Sequence, residues 1–283
     1  VSRTIRLGIS PCPNDTFCFW GLLTNRIDTG NLRFAIELLD IEQLNERMLQ
    51  GDFDVCKVSF AAALAMAGDV VVLPSGSALG FGVGPLLLAA DAHTRPASQT
   101  QVTLCPGAHT TASLLFSLFY PDTTRIEQTV FSEIMPRLEA RSADFGVCIH
   151  EGRFTWQERG LHLVEDLGIR WEAETHCPLP LGGIVASGRL PNDVIAAVQR
   201  AIRASLALAL ASPEAALATM RKHAQELDDR VLMQHVELYV NEWTHDLGDT
   251  GRRALAELST RAAANGLSGD TPLEIFGGSH GWP

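Results

Sequence analysis

Positive charge is scarce in this chain. Of its 283 residues, 22 are Lys or Arg against 33 Asp or Glu, for a formal net charge of −11. Phosphate binding wants a basic face, so the deficit argues against a nucleic-acid partner. It argues in the same direction against an anionic membrane surface. Long apolar runs are missing too. The most apolar helical stretch, Leu206–Ala211, stops at Ser212-Pro213 and is too short to span a bilayer. The opening residues Val1–Ser10 read as a strand carrying Arg3 and Arg6, without the apolar segment of a secretory signal. The six cysteines Cys12, Cys18, Cys56, Cys105, Cys148 and Cys177 include no CxxC pair. Three of them, Cys56, Cys105 and Cys148, lie in apolar strand-like runs, where a buried thiol is expected rather than a disulfide framework. Together these absences point to a cytoplasmic protein.

Several catalytic signatures are absent as well. There is no P-loop lysine motif, no GxSxG elbow and no paired metal carboxylates, so phosphoryl transfer, serine nucleophiles and redox cofactors lack support. A zinc HExxH site fails because Phe154 stands where the second histidine would be, and the other histidines show no metal spacing. The run Gly80-Phe81-Gly82-Val83-Gly84-Pro85 superficially resembles a dinucleotide loop. It feeds a strand rather than a helix, however, and reads as a flexible entry into a strand that crosses between lobes. No metal and no cofactor is expected.

What is present is a repeated theme. Hydrophobic residues make up 46% of the chain, enough for a well-filled core. Through the first 150 residues, short apolar strands alternate with turns and helices. Such alternation argues for parallel sheets covered by helices. Strands are expected over Arg6–Ser10, Arg33–Leu38, Phe53–Val58, Val70–Leu73, Gln101–Cys105 and Phe145–Ile149, with an extended segment near Thr129–Phe131. The intervening helices are placed at about Thr16–Asn25, Ile41–Gln50, Ser59–Ala67, Thr111–Tyr120 and Ser132–Arg141. From about Asn192 the chain turns helical, over Asn192–Ala211, Pro213–Leu227, Asp229–Thr244 and Thr250–Asn265. The alanines and leucines around Leu206, Leu208 and Leu210 read as helix packing. The expected architecture is α/β with two lobes, residues 1–88 with 184–283 and residues 89–183, joined by crossing strands near Val83–Ala90 and Pro180–Ser187.

Three turn-to-helix junctions follow predicted parallel strands: Asn14-Asp15-Thr16, Lys57-Val58-Ser59 and His109-Thr110-Thr111-Ala112. Open α/β folds bind ligands at that edge of the sheet, and helix starts present unsatisfied N–H groups there. Singly each reads as an ordinary cap. Together they form a grip for an anionic or polyhydroxylated small molecule, to which Lys57 adds a cation. His150 follows the strand Phe145–Ile149 and is either a general base facing the cleft or a hydrogen-bonded structural histidine. His109 is the other histidine in a candidate ligand turn, whereas His93, His162, His223 and His280 read as surface residues.

These residues resemble the 1,4-dihydroxy-6-naphthoate synthase family of the futalosine route to menaquinone. The resemblance is carried by Ser10-Pro11-Cys12-Pro13-Asn14-Asp15-Thr16, Lys57-Val58-Ser59, Ser75-Gly76-Ser77-Ala78-Leu79-Gly80 and Gly82-Val83-Gly84-Pro85. It continues through Pro106-Gly107-Ala108-His109-Thr110-Thr111-Ala112, His150-Glu151-Gly152-Arg153-Phe154-Thr155 and Pro178-Leu179-Pro180-Leu181-Gly182. The motifs occur in order over the first two-thirds of the chain. The resemblance implies a two-lobed fold like the type II periplasmic binding proteins. It also implies a cofactor-free lyase that turns cyclic dehypoxanthine futalosine into 1,4-dihydroxy-6-naphthoate and a three-carbon sugar fragment. The family's base maps onto His150, and its ligand contacts onto Lys57, Val58, Ser59, Thr111 and Ala112. Asn14 and Thr110 join that set from the neighbouring turns, and Arg153 is placed against the ring carboxylate. Two other functions fit the same fold: a transporter's solute-binding protein and a chorismate-dehydrating lyase. A secretory signal or a non-titrating residue at position 150 would favour the first, and neither is seen; the His150 and Ser10–Thr16 motifs speak against the second. The sequence leaves the oligomeric state open.

Overall fold

The strand β1 (Arg3–Ile9) buries Ile5, Leu7 and Ile9 completely and sets the pattern of the first half of the chain. The computed structural model describes residues 2–149, 152–224 and 228–277. After β1, Pro13 opens α1 (Pro13–Cys18), a position where its missing N–H costs nothing. The single helix expected at Thr16–Asn25 is two short ones, because Phe19 leaves helical geometry between α1 and α2 (Trp20–Leu23). Then come β2 (Leu32–Leu38), α3 (Ile41–Leu49), β3 (Val55–Ser59), α4 (Phe60–Ala65), β4 (Val70–Val72) and β5 (Ala78–Gly80). The middle of the chain holds β6 (Leu86–Ala89), β7 (Val102–Cys105), α5 (Thr111–Phe119), β8 (Arg125–Gln128), α6 (Phe131–Glu139) and β9 (Phe145–Cys148). Beyond it lie α7 (Gly152–Thr155), β10 (His162–Asp166), α8 (Leu167–Thr175) and β11 (Leu179–Ser187). The tail is helical: α9 (Asn192–Ala211), α10 (Pro213–His223), α11 (Asp229–Tyr239), α12 (Glu242–His245) and α13 (Gly248–Ala264).

Two sheets result. The first has the order β2-β1-β3-β11-β4, with β5 also pairing β11. In it β1 is parallel to β2 and β3, whereas β11 is antiparallel to β3, β4 and β5. The second has the order β10-β6-β9-β7-β8, parallel around β7 and antiparallel around β6. All side chains of β3 and β4 are buried, as in strands covered by helices on both faces. One apolar core runs between the sheets through Phe60, Leu87, Phe116 and Trp171. A second lies under the tail, where Phe17, Trp20 and Ile184 meet Ile195, Ile202 and Met220.

Several expectations are corrected. The strands expected to cross between lobes do not: β6 pairs only within the second sheet and β11 only within the first. The first passage therefore falls earlier, at residues 81–85. The chain returns through α8, whose start packs so closely on that passage that a Cβ on Gly84 would lie 2.2 Å from the Gly168 Cα. The extended segment near Thr129–Phe131 lies earlier, as β8, and α6 already begins at Phe131. The helix expected over Asp229–Thr244 breaks at Val240 and Asn241, where Asn241 and Thr244 form a capping box for α12. The helix expected over Pro213–Leu227 stops at His223, because Ala224 is extended; residues 225–227 lie outside the described residues. The apolar tail stretch belongs to a helix of 20 residues, long and apolar enough to cross a membrane by length and composition alone. Its Ile195, Val198, Ile202 and Leu206 are buried in the core under the tail.

Candidate active-site cleft

The first turns of α1, α4 and α5 converge on one cleft of about 670 Å³, counted with its open mouth. Asn14, Lys57, Ser59, Thr110, Thr111 and Ala112 all line it, from both sheets. Ile41, Val83, Ile149, Leu181 and Tyr239 give it an apolar wall. Val58 instead points into the core between the sheets.

Polar groups in the cleft are tied to one another. The Asp15 carboxylate is buried, and its Oδ2 accepts the Ser10 hydroxyl at 2.6 Å and the Ser10 N–H at 3.2 Å. Its Oδ1 accepts from Asn14 Nδ2 at 3.1 Å and pairs with Lys57 Nζ at 2.9 Å. Lys57 also donates to the Gly76 carbonyl at 3.0 Å. The cation expected to attract an anionic ligand is thus matched by a carboxylate, and the floor of the cleft is close to neutral. A ring from the tail completes this side: His235 Nε2 lies 3.1 Å from Asn14 Oδ1, and its imidazole packs on Tyr239 with centroids 4.5 Å apart. Near the floor, the Cys18 thiol is pushed up to about 12 by burial, against the pull of Lys57.

Ser59 stands before α4 but does not cap it with its side chain. Its N–H donates to Asn45 Oδ1 at 2.9 Å, and its hydroxyl oxygen accepts from Asn45 Nδ2 at 3.2 Å. The hydroxyl proton remains to donate into the cleft. Thr110 is a true N-cap, accepting from the Ser113 N–H at 3.2 Å. Thr111 and Ala112 then occupy the first two positions of α5, whose N–H groups have no acceptor within the helix. The Thr111 hydroxyl is already engaged: it donates to the Leu181 carbonyl at 2.6 Å and accepts from the Ala61 N–H at 3.3 Å.

Those Thr111 bonds span the two sheets, and a second clasp does the same at the rim. Glu42 of α3 accepts from the His109 N–H at 2.9 Å and lies 2.8 Å from His109 Nδ1, while Asn45 donates to the His109 carbonyl at 3.3 Å. His109 is absent from the cleft wall. Arg153 is not there either. Its guanidinium pairs with Asp166 at 2.9 Å and donates to the Gly84 carbonyl, bracing the passage between the sheets. His150 lies outside the described residues; Ile149, just before it, lines the cleft. Among the described residues, no three His, Cys, Asp or Glu side chains gather as metal ligands.

His235 and Tyr239 are cleft residues that sequence reading missed. The available signal was local: a histidine and a tyrosine four apart on the face of α11 that buries Leu232 and Val236.

A two-sheet α/β molecule whose polar turns meet in the cleft between the sheets has the architecture of the periplasmic-binding-protein-like folds. The ligand-binding component of a Staphylococcus aureus ABC-type import system superposes with a TM-score of 0.72 at 13% identity, covering 97% of each chain. A protein of Archaeoglobus fulgidus superposes with a TM-score of 0.87 at 29% identity, over 93% of this chain and 98% of that one. The chain belongs to the menaquinone-biosynthesis family, whose model matches residues 5–264, and within it to the 1,4-dihydroxy-6-naphthoate synthases. It is 42% identical to the Thermus thermophilus 1,4-dihydroxy-6-naphthoate synthase over 97% of this chain and 99% of that protein. It is 41% identical to the Streptomyces coelicolor enzyme of the same name, over 93% and 94%. The chain is an enzyme of menaquinone biosynthesis.

Proposed function

We propose that this enzyme is a cofactor-free carbon–carbon lyase acting in the cytoplasm. Its substrate is cyclic dehypoxanthine futalosine, and its products are 1,4-dihydroxy-6-naphthoate and a three-carbon sugar fragment. The observation that carries this reading is the meeting of Lys57, Ser59, Thr111 and Ala112 around a cleft bordered by Ile149, the residue before His150. A substrate that is part aromatic and part sugar suits a cleft with an apolar wall and a few fixed donors. The partner is this small molecule; neither nucleic acid nor a membrane takes part.

His150 is the general base. A neutral imidazole, with a reference pKa of about 6.5, accepts a hydroxyl or carbon proton of the sugar portion as the carbon–carbon bond breaks. Charge then develops on an oxygen. The Ser59 hydroxyl proton and the Thr111 and Ala112 N–H groups are donors already aimed at the cleft, so stabilising that charge needs little reorganisation. Arg153, committed to Asp166, is assigned to the passage between the sheets rather than to the ring carboxylate. Aromatisation of the product supplies the driving force.

The test is incubation with cyclic dehypoxanthine futalosine and chromatographic detection of the naphthoate. A positioned base contributes about 10²–10⁴-fold in rate, so His150→Ala is expected to lose at least about a hundredfold in turnover while staying folded. A wild-type protein that binds this compound without converting it would refute the lyase reading. Near-normal turnover by a folded His150→Ala protein would remove His150 from the reaction.

A further inference from the structure

Asn14 reaches the cleft with an amide whose orientation is fixed from both ends. Its Nδ2 must face Asp15, because a carboxylate only accepts, and the distance to Oδ1 is 3.1 Å. The amide oxygen is therefore the atom that meets His235 Nε2 at 3.1 Å, and that nitrogen carries the proton. The ring has little freedom of its own. His235 is 5% exposed, is carried by α11 and rests on Tyr239 one turn further along. The outcome at Asn14 is specific: one Nδ2 hydrogen goes to Asp15, and the second has no partner among the described residues. Both Asn14 and His235 line the cleft.

We propose that His235 is a positioning residue for the substrate, acting through Asn14. By occupying the amide oxygen, it holds the second Nδ2 hydrogen of Asn14 toward the ligand and so selects an oxygen acceptor at that place. Without the imidazole N–H, the bond to Asp15 is the remaining restraint on the amide, and the second Nδ2 hydrogen is held less firmly toward the cleft. This rests on the function proposed above and names how one edge of that substrate is read. A ligand with a hydroxyl, carbonyl or carboxylate oxygen there is held, and one with only a donor is not. His235 lies 221 residues from Asn14 in sequence, so the helical tail completes a subsite begun in the first turn of the fold.

His235→Phe keeps a ring against Tyr239 and removes the N–H; His235→Gln restores an N–H at similar reach. For each variant, KM and kcat with cyclic dehypoxanthine futalosine, the Kd of 1,4-dihydroxy-6-naphthoate by calorimetry, and Tm are measured. The Phe variant is expected to raise KM and the naphthoate Kd about tenfold, the scale of one lost hydrogen bond, with a smaller change in kcat. Gln is expected to recover most of that loss, and Tm to stay within a few degrees. Unchanged KM and Kd in the Phe variant would overturn the inference. So would losses that follow Tm in both variants without rescue by Gln, which would make His235 a structural residue. A wild-type protein that makes no naphthoate overturns the proposed lyase instead; the calorimetry then reads His235 alone, and a Phe variant with unchanged Kd, or a wild type that does not bind the naphthoate, overturns the inference too.

Discussion

The buried pair of Asp15 and Lys57 gives the sharpest test of how the cleft is built. Their side chains are 2% and 6% exposed, and Asp15 holds four donors at once: the Ser10 hydroxyl and N–H, Asn14 Nδ2 and Lys57 Nζ. Asp15→Asn keeps the shape but removes the charge and replaces one acceptor by a donor. Lys57 would then be left as a buried ammonium with the Gly76 carbonyl as its remaining partner. Removing one member of a buried pair costs about 3–5 kcal/mol, because the other charge stays desolvated. That is a large part of an ordinary domain's stability of about 5–15 kcal/mol. Lys57→Met alone is expected to cost less, since Ser10 and Asn14 still serve the carboxylate. The double variant should be more stable than Asp15→Asn, since it leaves no unpaired charge. Urea titrations at neutral pH, read by circular dichroism, give the three differences as a double-mutant cycle. A loss under about 1 kcal/mol for Asp15→Asn would place the pair with solvent-screened surface bridges and refute the account.

Two further outcomes follow from titrating groups. Burial pushes the Cys18, Cys105 and Cys148 thiols up to about 12, and Cys56 is raised as well, so little thiolate is present at pH 8. An aromatic disulfide reagent is expected to label the half-buried, cleft-lining Cys12 first and more slowly with substrate present, and fast labelling of the buried thiols in folded protein would contradict this. Burial opposes the charge of Asp54, but side-chain and backbone hydrogen bonds from Arg6 outweigh it and hold the carboxyl below its ordinary 3.8. The stability it adds is complete above that value and is lost as pH falls through the lower, folded value. Asp54→Asn should therefore be less stable than wild type at pH 7, with the gap closing in acid; a gap independent of pH would refute the assignment.

The helix starts were the most legible feature of the sequence, because a turn of Pro, Asn, Ser or Thr after an apolar strand marks a helix start locally, even though of the three starts only α5 has a side-chain cap, from Thr110. Asn14, Ser59 and Thr111, placed at such starts, all line the cleft. Roles set by distant partners were not legible. Ser59 answers to Asn45, and Lys57 to Asp15, through contacts that no spacing along the chain announces. Arg153 lay in a motif that suggested ligand binding, yet Asp166 and the Gly84 carbonyl claim it. The short strands β5 and β10 escaped notice because each is brief and takes its form from antiparallel partners, whereas helix α8 was missed although it is as long as α3 and α5. The tail helices were read in pattern, but His235 was not singled out, because nothing along the chain announces that α11 brings it to Asn14.

The place of β11 in the first sheet also constrains how the chain is made. It fills the gap between β3 and β4, yet it leaves the ribosome only after the whole second sheet has been synthesised. At about 5–20 residues per second, the buried edges of β3 and β4 wait on the order of ten seconds for it. The second sheet, built from strands contiguous in the chain, has no such wait and can fold as soon as β10 emerges. An early-folding insert would hold the two halves of the first sheet near each other. It would shield apolar strand edges that would otherwise pair with neighbouring nascent chains. The order of synthesis thus makes the second sheet a scaffold for the first, and the cleft, which also needs α11, among the last parts of the molecule to exist.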